Sequence, residues 1–254
     1  MIDIHSHVLY GLDDGARTIE DSVAMVRMAA ECGTTDLVAT PHANEQFGFE
    51  PEAVRRKLAE VAEASGNIIR LHSGCDFHLS YDNILDALEH PRKYTINQRR
   101  YLMVEFSDLL IFTNTPEIFS RLQEAGMTPV ITHPERNGLL RQRLDQIAAW
   151  VEAGACVQIT AQSLTGEFGR RAAEFSRTLI DRRLVHFLAS DAHDCGQRPP
   201  RLDRAYECVK ERYGEALADA LCVANPRATL TGDSLVPFQD AKAVEPRKWY
   251  QVWR

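Results

Sequence analysis

Several features that would assign a function quickly are missing from this chain of 254 residues. It has no run of eighteen apolar residues, so no segment reads as a bilayer-spanning helix, and no basic-then-apolar leader opens it. A strand carrying functional residues starts at Ile2, which leaves no room for a cleaved signal. Its six cysteines (Cys32, Cys75, Cys156, Cys195, Cys208, Cys222) form no CxxC pair. Scattered thiols suit a reducing compartment better than a disulfide framework, so a cytoplasmic protein is expected. Basic charge is short: 29 Lys and Arg against 36 Asp and Glu give a net −7, which argues against a nucleic-acid surface. No internal repeat or composition shift marks a domain boundary.

What is present is an alternation. Seven short apolar segments, at residues 2–8, 37–40, 68–73, 101–104, 129–132, 156–160 and 185–189, recur at roughly thirty-residue spacing between helical stretches. Strands that read as continuous apolar runs belong to a parallel sheet covered on both faces, so the fold class is α/β. The helical stretches include one closed by Gly33, one opened by Pro51, a short one around 83–88, and one capped by Thr115-Pro116. A single long helix is expected from the sixth strand to about Arg182, and Asn225-Pro226 should stop the last helices. Residues 1–226 then form one barrel-sized unit. Residues 227–254 form a tail with aromatic and basic residues (Trp249, Tyr250, Trp253, Arg254), docked on the barrel or on a partner subunit in a homo-oligomer.

The residues at the strand ends carry the chemistry. In the opening strand His5 and His7 stand two apart, and at the β period of two both side chains point the same way. Alone, such a pair reads equally as one buried and one solvated histidine. The same event recurs as His42, Asp76, Glu105, His133, and Asp191 with His193, while Asp14 sits in the first loop. In a parallel barrel all strand C-termini open on one face, so residues far apart in sequence converge there. Five histidines and four carboxylates are too many for one ion. Nitrogen and oxygen ligands without cysteine favour Mn, Fe, Zn or Mg.

The segments Asp3-Ile4-His5-Ser6-His7, Leu12-Asp13-Asp14-Gly15, Ala39-Thr40-Pro41-His42, Ile131-Thr132-His133-Pro134-Glu135-Arg136 and Ser190-Asp191-Ala192-His193 resemble the polymerase-and-histidinol-phosphatase (PHP) superfamily. Within it they look like the bacterial capsule and exopolysaccharide branch of manganese-dependent tyrosine-protein phosphatases. The resemblance implies a distorted seven-stranded (β/α) TIM-like barrel, the PHP fold, with three divalent metal ions. By motif, His5, His7, Asp76 and Asp191 would hold the first ion. Asp76, Glu105 and His133 would hold the second, and Asp14, His42 and His193 the third. Arg136 and Arg198 match arginines offered to the substrate phosphate. Asp76 departs from the pattern, which usually has glutamate. A carboxylate about 1.5 Å shorter must then be offset by a closer strand, or bind one ion only.

Three such ions would bring the formal charge to about −1 and leave the site itself about two charges positive, a match for a phosphate monoester dianion. The implied reaction is hydrolysis of protein phosphotyrosine by a metal-bridged hydroxide, with His42 or His193 able to supply a proton. The implied substrate is the tyrosine-rich tail of a bacterial tyrosine kinase that controls polysaccharide export. Two alternatives stay open: a small-molecule phosphatase acting on a histidinol-phosphate-like ester, and a catalytically silent metal-binding module. One decoy is set aside. Cys195-Gly196-Gln197-Arg198-Pro199-Pro200-Arg201 fits the Cys-x5-Arg pattern of cysteine phosphatases, but two prolines lack the N–H groups a phosphate cradle requires.

Overall fold

The computed structural model describes residues 1–236. Nine parallel strands form two sheets. In chain order they are β1 (Ile2–Ser6), β2 (Asp36–Ala39), β3 (His42–Ala43), β4 (Arg70–Ser73), β5 (Asp76–His78), β6 (Tyr101–Glu105), β7 (Thr128–Thr132), β8 (Cys156–Thr160) and β9 (Phe187–Ala189). The sheet orders are β1-β2-β4 and β3-β5-β6-β7-β8-β9. All seven expected strands are present, and the count rises to nine because two of them break. The second is interrupted at Thr40-Pro41 and the third at Gly74-Cys75, and each resumes in the other sheet. The break at Gly74 depends on a missing side chain. A Cβ there would meet Val38 Cγ1 at 2.9 Å and Thr40 Cγ2 at 3.0 Å, so any other residue would push these side chains aside.

Between the strands lie α1 (Ile19–Glu31), α2 (Pro51–Ala64), α3 (Tyr81–Glu89), α4 (Thr115–Glu124), α5 (Leu144–Glu152), α6 (Ala161–Thr165), α7 (Arg170–Asp181), α8 (Asp203–Tyr213), α9 (Glu215–Asp219) and α10 (Asn225–Thr231). Three expectations need correction. The long helix after β8 is two helices, because Gly166 turns left-handed at the end of α6. Thr115 does not cap α4: Asn114 holds the cap position, and the Thr115 hydroxyl donates to Phe112 O at 2.7 Å. Asn225-Pro226 does not stop the helical region, because proline at the first turn of α10 costs no hydrogen bond and the chain stays helical to Thr231. Beyond it, Tyr101 donates to Asp233 O at 2.6 Å, tying this segment to β6. Most of the expected tail, including Trp249 and Trp253, lies outside the described residues.

Apolar side chains from β1, β2, β6, β7, β8 and β9 (Ile2, Ile4, Val38, Met103, Val130, Phe187 among them) meet in one buried cluster. A larger cluster fills the space between the six-stranded sheet and its helices. The outer edge of β1 is met by the segment after β9: Asp191 N donates to His5 O at 2.8 Å, and His7 N to Ala192 O at 2.7 Å. Asp3, wholly buried, fixes this junction. Its Oδ1 accepts from His5 N at 3.3 Å and from Ser190 N at 3.0 Å. Burial pushes its pKa up to about 6, against the pull of these hydrogen bonds.

Replacing Asp3 tests that junction. Asp3→Asn keeps an oxygen acceptor and should be tolerated better than Asp3→Ala, which leaves two buried amides unpaired at about 1–3 kcal/mol each. Denaturant midpoints that rank the two variants the other way would refute the role assigned to Asp3.

Candidate metal centre

The strand ends place all nine expected ligand residues on one side of the sheets. Their ligand atoms form four overlapping groups, the atoms of each lying within 4.8 Å of one another: His7, Asp14, His42 and His193; His5, His7 and Asp76; His5, His133 and Asp191; His42, Asp76 and Glu105. Four of the separations lie near one value. His5 Nε2 lies 3.4 Å and His7 Nε2 3.3 Å from Asp191 Oδ1. His42 Nε2 and His193 Nε2 each lie 3.4 Å from Asp14 Oδ1. Two ligands held about 2.1 Å from one ion in tetrahedral geometry stand roughly 3.4 Å apart.

The buried donor atoms fit such ions in a second way. His5 Nε2, His7 Nε2, His42 Nδ1 and both carboxylate oxygens of Asp76 are buried and have no hydrogen-bond partner among the described residues. A buried polar atom without a partner is costly, and five that converge are an unmet demand for cations. The opposite ring nitrogens are already committed. His5 Nδ1 lies 3.1 Å from Gln158 Oε1, His7 Nδ1 2.7 Å from Asp13 Oδ2, and His193 Nδ1 3.0 Å from Asp191 O. Each oxygen can accept from Nδ1–H, so Nε2 is the nitrogen that would face an ion, the usual outer-shell arrangement of a metal-binding histidine.

The protonation of the cluster follows from the same crowding. Burial opposes charge on His7, yet Asp13 overrides it and lifts the pKa to about 9. Burial likewise opposes charge on His42, and Asp14 and Asp76 raise it to about 11. His133 goes the other way, pressed down to about 3 by burial and by the nearby Arg136. Burial alone would raise Asp76 and Asp191, but His5 with His42 around the first, and His5, His7 and Arg136 around the second, hold both well below the carboxylate range. Two arginines also converge on Asp191 Oδ2: Arg198 Nη2 at 2.6 Å and Arg136 Nη1.

Asp76 stands in two of the four groups, one with His5 and His7 and the other with His42 and Glu105. His133 falls instead with His5 and Asp191, and its Nε2 is 3.7 Å from Glu105 Oε1. Both His133 and Asp191 have positive φ, +32° and +52°, rare values for residues with a side chain.

Sequence reasoning missed the supporting residues. Asp13 was legible only as part of the Leu12-Asp13-Asp14-Gly15 motif, yet its Oδ2 orients His7 and also accepts from His42 N at 3.1 Å. Gln158 is a neutral residue within β8 that nothing in its own segment marks. Glu135, fully buried, accepts from Thr160 N at 2.9 Å and anchors the loop after β7. The Cys195 loop has a clear physical reading. Asp194 Oδ1 accepts from Gly196 N, Gln197 N and Arg198 N at 2.5, 2.6 and 3.2 Å, so the amides a phosphate cradle would need are turned onto a carboxylate. Burial and Asp194 push the Cys195 thiol up, away from the reactive thiolate.

Two substitutions separate ligands from supports. Asp76→Ala should lower bound metal by at least one ion per chain, read by elemental analysis after dialysis. Asp13→Ala should keep the ions' number but weaken their affinity about 10–100-fold. Full metal content at unchanged affinity in both variants would remove these residues from the centre.

The chain is 35% identical to tyrosine-protein phosphatase YwqE of Bacillus subtilis (strain 168), over 85% of this chain and 87% of that one. It is 30% identical to tyrosine-protein phosphatase CpsB of Streptococcus pneumoniae, over 89% and 97% of the two chains. Among solved structures, it superimposes with a TM-score of 0.87 and 32% identity on one described with YwqE and CpsB as unique metal-dependent tyrosine phosphatases, covering 93% of this chain and 96% of that one. The family model for capsular polysaccharide synthesis, CpsB/CapC, matches residues 1–231. The chain therefore belongs to the CpsB/CapC family of capsular polysaccharide synthesis proteins.

Proposed function

We propose that this chain is a metal-dependent phosphomonoesterase that removes phosphate from tyrosine in proteins. The observation that carries this reading is the set of unpartnered donor atoms of His5, His7, His42 and Asp76, flanked by two arginines. His5, His7, Asp76 and Asp191 would hold a first ion, Asp76, Glu105 and His133 a second, and Asp14, His42 and His193 a third, with manganese the favoured metal. When bound, the ions supply an acidified water as nucleophile and neutralise the phosphate's charge. Arg136 and Arg198 exchange Asp191 for phosphate oxygens, which they can meet through paired charge-assisted hydrogen bonds. A tyrosine oxygen leaves readily, since its pKa is about 10. His42 or His193, which share Asp14 at the mouth, would hold the proton it takes up only through a ring nitrogen that no ion claims.

The shape of the mouth separates this reading from a small-molecule phosphatase. The cavity lined by Glu105, His133, Arg136 and Asn137 is about 130 Å³, below the range of roughly 300–1,000 Å³ for pockets that enclose a ligand. Leu109 and Leu110 stand 90% and 52% exposed beside Asp108, which also lines it. A small, mainly polar opening suits a side chain presented by a larger molecule. The family's link to capsule synthesis supports the tail of a bacterial tyrosine kinase as substrate and a cytoplasmic site of action. The convergence of β1 and the segment after β9 supports one distorted seven-stranded barrel over residues 1–226, with the remaining residues docked on it or on a second copy.

With Mn²⁺ present, a phosphotyrosine peptide should be hydrolysed well ahead of phosphoserine and histidinol phosphate, and a chelator should abolish turnover until metal is restored. Equal or better turnover of histidinol phosphate would move the assignment to the small-molecule class. Cys195→Ser should leave kcat nearly unchanged. Arg198→Ala should lower kcat/KM by about 10–100-fold, for loss of a charged hydrogen bond of roughly 1.5–3 kcal/mol. Arg201→Ala should do less, since Arg201 is engaged with Asp203 at 2.6 Å. A kcat loss above about a hundredfold in Cys195→Ser would overturn the mechanism.

A further inference from the structure

Arg136 separates two cavities. On one side lies the small opening over Glu105 and His133. On the other lies a larger cavity of about 460 Å³, lined by Arg141, Phe168, Arg170 and Arg171. The Arg136 guanidinium rests 4.5 Å above the centre of the Phe168 ring, so the arginine is braced between the two.

The charge in the larger cavity is poorly compensated. Arg170 pairs with Glu174 at 2.7 Å. Arg141 donates only to main-chain carbonyls, Glu135 O at 3.0 Å and Arg136 O at 2.8 Å, which orient it without neutralising it. Arg171 is exposed and has no carboxylate partner among the described residues. Two uncompensated guanidinium groups, one of them fixed by its own main chain, therefore line a cavity that shares a wall with the reaction site. Guanidinium groups favour planar or tetrahedral oxyanions, and an aromatic face beside them favours a ring that carries one.

We propose that this cavity is a second anion subsite, which takes an acidic side chain, a second phosphotyrosine or a carboxylate, carried by the substrate peptide beside the phosphotyrosine being hydrolysed. The proposal rests on the phosphotyrosine reading of the adjoining site. It makes clustered or acidic-flanked phosphotyrosines the preferred substrates. It places the preference in binding, because none of the subsite's own arginines, Arg141 and Arg171, touches the reacting phosphate.

Initial rates of the metal-loaded full chain on matched peptides test this. One set carries a single phosphotyrosine with neutral flanks; a second adds phosphotyrosine, and a third glutamate, at successive positions on either side. p-Nitrophenyl phosphate, which has no flank, serves as the reference. The expected result is a gain in kcat/KM of about tenfold or more at one flanking position, through KM. A gain with either acid defines a general anion site, and a gain confined to the second phosphate defines a phosphate site; both support the proposal. Arg171→Glu should erase or reverse the preference while the rate on p-nitrophenyl phosphate stays the same, and Arg141→Ala should erase it as well. If Arg141→Ala disturbs the loop it braces and lowers the reference rate, the exposed Arg171→Glu still decides. Hydrolysis of the neutral-flanked peptide with no advantage at any flanking position would overturn the subsite and leave the phosphatase reading standing. No hydrolysis of any phosphotyrosine peptide would overturn both.

Discussion

Buried negative charge is the constraint on which this structure turns. Asp76 and Asp191 lie 0% and 2% exposed, and removing a carboxylate from water costs several kcal/mol even after relaxation. An opposite charge at about 3.4 Å returns roughly 5 kcal/mol at an effective dielectric near 20. One partner therefore about breaks even, and several are needed for a margin. Asp191 has six basic side chains within 4 Å: His5, His7, His133, His193, Arg136 and Arg198. Asp76 has only histidines, His5 at 3.6 Å and His42 at 3.2 Å, and both its oxygens lack hydrogen bonds. The cluster is built to receive more positive charge than its own side chains supply, and Asp76 is where the shortfall is greatest.

The main chain is bent to serve that demand. His133 and Asp191 take positive φ at the ends of β7 and β9, and a neighbouring anchor holds each loop: Glu135 accepts from Thr160 N near the first, and Asp3 accepts from Ser190 N near the second. Gly15 shows the same economy of space. A Cβ on it would fall 2.1 Å from His7 O, so the loop that carries Asp13 and Asp14 can fold back over His7 only with glycine there. With the loop so placed, Asp13 takes Nδ1 of His7 and Asp14 faces His42 and His193. Adjacent aspartates thus act at different depths, one orienting a ring and the other facing the opening.

The positions of the strands and of the residues at their ends were readable because parallel strands covered on both faces are continuously apolar and end abruptly in histidine or carboxylate. Ile2, Leu37, Leu102, Val130, Val157 and Leu188 are all essentially buried, as such runs require. What could not be read was whatever depends on a contact between distant segments. Gln158 is neutral and looks inert until His5, 153 residues away, is seen to turn its ring toward it. Asp3 has its role only through the segment after β9, whose Ser190 N donates to it. The split of the long helix at Gly166, and the helix that continues through Pro226, were misjudged for another reason. Glycine and proline mark local possibilities, and tertiary packing chooses among them.

The broken third strand sets where the Asp76 carboxylate sits. A continuous strand would leave Asp76 in line with β4, beside β2 in the three-stranded sheet. The step at Gly74 instead moves β5 across into the six-stranded sheet, where Asp76 stands in register with His42 of β3 and Met103 of β6. That step is eased because Gly74 passes Val38 and Thr40 so closely that a β-carbon there would force their side chains to move. Its N–H still reaches Ala39 O at 2.8 Å, so the chain crosses without losing its pairing. The backbone thus carries the carboxylate to the midpoint of the cluster, between the His5–His7 pair and the His42–Glu105 pair. The aspartate and the glycine two residues before it are in this sense one feature, since the short reach of the first is useful only where the second allows the backbone to come close.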